Sequence, residues 1–343
     1  MLTNLLRPWV LARLLSGAAV AILCAFALVV AWKVLSRWRV GATSEGQLAL
    51  ERRAELVAAV VQVALLVAVL DLGLTVLTAD RLTHSIRGAM CAWGVFDASP
   101  WGFVALGTSA LAAAGCALWV VLHRLDLRLE RPALTRRKFV ALFALAPIVW
   151  IDLFATAAWA LDLDMRVVAS CCSIALDDAL GAAGTGDAGP RTLAAGSALG
   201  AAAVAALAAL TARHRPTRAA TYFAALASAV ALIAAIPAIL WFVAPHAYET
   251  PHHLCPFCLL HADAFGLGWP LFSALFGAAI GGLALGLVEA QRRASGEPAV
   301  VSTMQRRLGG WTAALWIATM ALGAAPVVRY ALVTGGASLF GGV

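Results

Sequence analysis

The run His252-His253-Leu254-Cys255-Pro256-Phe257-Cys258-Leu259-Leu260-His261 sets two thiols and three imidazoles in one short stretch. Thiolates select Cu(I) and zinc, and imidazole suits copper and zinc alike. The Cys-x-x-Cys spacing lets both sulfurs reach a single ion, as in structural zinc sites. Those sites need a second close pair, which here only Cys171 and Cys172 can supply. Cys91, next to Met90, is a further soft donor in another connection. A thiol-dominated set of this kind favours Cu(I), with zinc the alternative. The expected metal ligands are therefore Cys255, Cys258, His252, His253, His261, Cys171, Cys172 and Cys91.

The same residues admit thiol redox chemistry. A Cys-x-x-Cys turn lowers one thiol's pKa and cycles with a disulfide. Cys255-Pro256-Phe257-Cys258 resembles, in these few residues, the quinone-linked disulfide-forming membrane enzymes, which carry cysteine pairs at the outer end of a four-helix bundle. That likeness implies an oxidoreductase coupled to quinone. The count of apolar segments and the vicinal pair Cys171-Cys172 depart from the pattern, so no family follows from it. Attachment of a c-type haem is disfavoured, because Leu259 and not His follows Cys258. A third reading is structural disulfides that staple loops in an oxidising compartment. The uneven number of loop thiols and the strain of a bridge between adjacent cysteines count against it.

The elements that hold these residues are membrane helices. Hydrophobic residues make up 62% of the 343 and charged residues 13%, and mean hydropathy is +0.88. Apolar runs long enough to cross a bilayer recur at about 14–32, 56–79, 102–122, 138–161, 193–212, 219–244, 270–289 and 311–334. The fold class expected is all-α: a polytopic membrane bundle of about eight transmembrane helices, one integral membrane domain over 1–343. No polar stretch leaves room for a soluble domain, and the Gly- and Asp-rich connection 162–192 reads as a loop. The first run is too apolar and too long for a cleaved leader, so it reads as a retained helix.

Lysines and arginines set the expected orientation. Lys33, Arg37, Arg39, Arg52 and Arg53 fall in one connection, and Arg124, Arg128, Arg131, Arg136, Arg137 and Lys138 in the next on that side. Arg213, Arg215, Arg218, Arg292, Arg293, Arg306 and Arg307 continue the series. Most of the 25 basic residues thus lie on one face. That face reads as cytoplasmic in a bacterial-type inner membrane, with the cysteine loops 80–101, 162–192 and 245–269 on the periplasmic side. The net charge of +7 is then a topology signal and calls for no nucleic-acid partner. The partners expected are membrane lipid and the metal ion. Nothing resembles a nucleotide-binding Gly-x-x-x-x-Gly-Lys-Ser/Thr, so active transport would need an ATPase or other transport subunit.

A weak repeat accompanies this map. Cys91 is followed by Ser99-Pro100-Trp101-Gly102-Phe103, and Cys258 by Gly268-Trp269-Pro270-Leu271-Phe272. Four helices per unit would make two halves of like orientation, 1–161 and 193–343, joined by 162–192. Small residues four apart, Gly196 with Gly200, Gly277 with Gly281 and Gly282 with Gly286, predict close helix packing. Inside the bilayer, Asp71 and Asp152 sit at matched depth, and Arg329 is the expected partner. Such a set fixes helix register, relays a proton or guides a cation.

The function classes consistent with these readings are a metal-handling transporter or transport subunit, a quinone-coupled thiol oxidoreductase, and a non-catalytic scaffold of a membrane complex.

Overall fold

The computed structural model describes residues 2–38, 44–165 and 188–340. Among them, eight helices are long and apolar enough to cross a membrane. They are α1 (Pro8–Arg37), α2 (Glu45–Leu82), α3 (Gly102–Asp126), α4 (Thr135–Asp162), α5 (Ala188–His214), α6 (Arg218–Ala238), α7 (Gly268–Ala290) and α8 (Pro298–Thr334). No strand accompanies them among the described residues. A hydrocarbon interior leaves peptide groups no water to bond, so each segment must satisfy its own backbone, which a helix does. This is a multi-pass, all-α membrane protein.

Several helices outrun their apolar cores. The first starts at Pro8, whose fixed φ suits the first turn, and so takes in Arg13. The last starts at Pro298 and takes in Arg306 and Arg307, which the sequence places in a connection. Ser44 begins α2 by accepting from the Gln47 amide at 3.3 Å, and Thr217 begins α6 by accepting from the Ala220 amide at 3.2 Å. After Pro237, α6 continues through a π-helical turn, Ile239–Val243, into a short helix, Ala244–Tyr248.

The chain divides into two compact units. In the first, α1 packs on α2, α2 on α3, α3 on α4 and α4 on α1, a closed four-helix bundle. Its core runs through Val20, Cys24, Leu65, Cys116, Trp119, Phe139 and Val149. The segment 291–301 belongs to this unit too. It docks where Glu297 accepts from the Glu130 amide and Gln291 accepts from Arg137, each at 2.9 Å. Asp126 ties α3 to α4: it accepts from the Leu134 amide and the Thr135 hydroxyl at 3.0 Å, and pairs with Lys138 at 2.6 Å.

In the second unit, α6 packs on both α5 and α7. The small residues of α7 form two rows. A Cβ at Gly277 would lie 3.2 Å from Leu315, and one at Gly281 would meet Thr312, both on α8. At Gly286 it would lie 3.1 Å from Ala225 of α6, and at Gly282 it would strike Ser228 of the same helix. Ser228 in turn accepts from the buried Trp316 indole at 3.1 Å. Among the described residues, a Cβ at Gly196 or Gly200 would meet nothing within 4 Å, so they show no close approach there. Large apolar side chains cover the outside of both units, among them Phe26, Leu70, Leu207, Leu226 and Leu332.

Candidate metal centre

Cys255 and Cys258 lie in the connection between α6 and α7. Glu249, in the left-handed conformation at φ 54°, ends the short helix before it. The chain then passes through an extended stretch to Cys255 and a 3₁₀ turn, Phe257–Leu260. That turn holds by the Leu259 amide on Pro256 O (3.3 Å) and the His261 amide on Cys258 O (3.0 Å). Tyr248 donates its hydroxyl to Cys258 O at 2.7 Å, tying the turn to the preceding helix. Leu254 and Leu259 are buried on either side. A Cβ at Gly268 would come within 2.9 Å of the Leu259 carbonyl carbon, so the start of α7 presses directly on the turn.

The result is a pair of buried cysteines. Their sulfurs lie within 4.8 Å of one another, close enough to share one ion. A buried cysteine pair that could hold a metal is therefore present in this unit, without identifying the metal. The histidines of the motif sit differently. His252 is exposed and His261 half-buried. The ring of His253 stacks on Tyr248, with centroids 4.1 Å apart and planes at 20°. Among the described residues, no histidine joins the two sulfurs in a set tight enough to share an ion. Cys171 and Cys172 lie outside the described residues.

Cys91, in the first unit, is also buried. It has an extended backbone at the head of a short helix, Ala92–Asp97. Trp93 packs edge-on against Phe103 at 4.7 Å, and Phe96 lies 5.2 Å from the ring of Trp159. A Cβ at Gly102 would strike the Phe96 carbonyl. The connections bearing Cys91 and Cys258 are thus each pressed by a glycine at the start of the following helix. Met90 is exposed.

Asp71 and Asp152 come together in the first bundle, but Arg329 is not their partner. Arg13 is. Its guanidinium is fully buried between α1, α2, α3 and α4. Nη2 donates to Asp152 Oδ2 at 2.6 Å and to Ser109 Oγ at 3.2 Å, and Nε donates to Thr75 Oγ1 at 2.7 Å. Nη1 lies 3.6 Å from Asp71 Oδ2. Arg329 pairs instead with Glu249 at 3.2 Å, with both side chains about half exposed. Its position a turn from the end of α8 puts it level with the Glu249 corner. Arg13 is the residue sequence reasoning missed: at the head of an apolar run, an arginine looks like a flank. Gly17, one turn on, was the available signal, since a Cβ there would lie 2.7 Å from Nη1.

Searches against protein-family models, curated proteins and solved structures found no match for this chain.

Proposed function

We propose that this membrane protein binds Cu(I) through Cys255 and Cys258. In this reading it receives, holds or passes the ion as a transporter or a subunit of a transport complex. The cysteine loops face the periplasm of a bacterial-type inner membrane, an orientation supported by the basic residues gathered on the opposite loops. The observation that carries the proposal is the pair of buried sulfurs within 4.8 Å of each other. Buried Leu254 and Leu259 flank them, and among the described residues no histidine joins both sulfurs within 4.8 Å. A sulfur-only set suits a soft monovalent ion that accepts few ligands, whereas structural zinc takes four. Zinc would need His253 to leave Tyr248, or His252 to turn inward.

Reduced protein titrated with Cu(I) against a chromophoric chelator should retain close to one equivalent. Cys255→Ser combined with Cys258→Ser should abolish retention. Copper held equally by the double variant would overturn the proposal.

One observation favours a second reading. The cysteine pair shares its unit with an apolar cavity of about 240 Å³, lined by α5, α6, α8 and the π turn, including Leu199, Phe242, Trp316 and Met320. A quinone ring fits such a lining. Oxidation of the two thiols to a disulfide would then pass two electrons and two protons to the quinone, giving the quinol. This reading predicts a Cys255–Cys258 bond whose state follows added quinone with no metal present.

A further inference from the structure

The Arg13 cluster carries an imbalance. Two carboxylates, Asp71 and Asp152, face a single guanidinium, and all three are almost fully buried among the spanning helices. The neighbouring groups are neutral. Ser16 on α1, Thr75 on α2, Ser109 on α3 and Thr156 on α4 supply hydroxyls; further along the bundle lie the thiols Cys24 and Cys116, and His123, Asp126 and Lys138 are buried toward its other end. Other buried acids among the described residues each have a cation within reach. Asp126 has Lys138 at 2.6 Å, and Glu289 has Arg218 at 3.5 Å. With both its acids ionised, the Arg13 cluster would hold a net negative charge in a low-dielectric interior, which is strongly disfavoured unless a positive charge arrives.

The geometry distinguishes the two acids. Asp152 is engaged at both oxygens, Oδ2 by Arg13 and Oδ1 by Ser109 at 2.5 Å. This is the short contact expected of an ionised carboxylate. Asp71 is engaged at one only, where Oδ1 accepts from Ser16 at 2.6 Å. Its Oδ2 stays 3.6 Å from Nη1, beyond hydrogen-bond range. Nη1 itself is buried and makes no hydrogen bond. An ionised Asp71 would be expected to close that gap and satisfy Nη1, since breaking or omitting such a contact in a buried site is costly.

We propose that the first helix bundle contains an intramembrane proton-binding site, in which Asp71 carries an exchangeable proton while Asp152 stays ionised against Arg13. The proton restores neutrality to the cluster. Loss of the proton draws the Arg13 fork toward Asp71, and its return releases it, so the fork couples α1, α2 and α4 to protonation. Gly17 leaves the guanidinium room for that movement.

Infrared spectroscopy of the full-length protein in detergent tests this. The native protein near neutral pH should show a protonated-carboxylic-acid C=O band that shifts on isotope labelling of aspartate and on transfer to heavy water. Asp71→Asn should remove the band, leaving one acid and one base. Asp152→Asn should also remove it, because Asp71 then becomes the sole counter-ion of Arg13. Arg13→Gln, which leaves two acids without a cation, should raise the band roughly twofold. Absence of an aspartate band in the native protein overturns the proposal whatever the variants do. So does a band that survives both asparagine substitutions, or one that appears only when sodium is withdrawn, which would assign the place to a metal cation.

Discussion

At the scale of single residues, the two buried clusters depend on small neighbours. Gly17→Ala would drive a methyl group into Arg13 Nη1. With four helices converging on that guanidinium, the expected cost is about 1–3 kcal/mol, read as a lower thermal midpoint in detergent. Gly268→Ala would push on the backbone of Leu259 and Leu260. It should weaken Cu(I) retention while leaving the first bundle's stability unchanged, because the turn bearing Cys258 must shift. The Cys-x-x-Cys motif was legible as a close sulfur pair from spacing alone. The histidines around it were not, since proximity in sequence says nothing about which way a ring turns. His253 stacks on Tyr248, a partner fixed by the helix end at Glu249. Arg13 escaped notice for a related reason. A basic residue beside an apolar run is ordinary, and only the helix's true start at Pro8 carries it inward.

At the scale of elements, sequence patterns mark candidate contacts, and packing decides which are used. Glycines four apart occur in both α5 and α7, yet only α7 is pressed by neighbours along its pairs. Gly282→Ala should therefore destabilise by about 1–3 kcal/mol, because it displaces Ser228 and, with it, the hydrogen bond of Trp316. Gly200→Ala should be neutral, or stabilising by up to about 1 kcal/mol through helix propensity. Paired thermal melts of the two variants separate the cases. The hairpin between α3 and α4 offers another contrast. Lys138→Met leaves Asp126 buried without its cation, which is expected to cost about 3–5 kcal/mol. Adding Asp126→Asn should recover part of that loss, as the Leu134 amide and Thr135 hydroxyl still find an acceptor. The apolar runs located all eight helices. Their ends were misplaced because charged residues such as Arg306 and Arg307 prolong a helix beyond its hydrocarbon core, where polarity no longer disfavours it.

At the scale of the whole molecule, the polarity is inverted relative to a water-soluble bundle. Many leucine, valine and phenylalanine side chains are exposed, while Arg13, Asp71, Asp152 and their hydroxyl partners are buried. That inversion was legible in composition, but the identity of the interior groups was not. Periodicity is faint when every face of a helix is apolar, so sequence could place Asp71 and Asp152 in depth without saying which cation they meet. Orientation is the remaining global property. The basic connections predict that a cytoplasm-active reporter fused in the 123–138 segment is active and one fused in 245–269 is silent; the reverse pattern would place the cysteines in the cytoplasm. The metal reading itself is tested most directly by X-ray absorption at the copper edge of the loaded, chelator-washed protein. A first shell of sulfur alone, lost in Cys255→Ser with Cys258→Ser, is the expected result. A shell dominated by imidazole nitrogen, or a spectrum the double substitution leaves unchanged, would contradict the account.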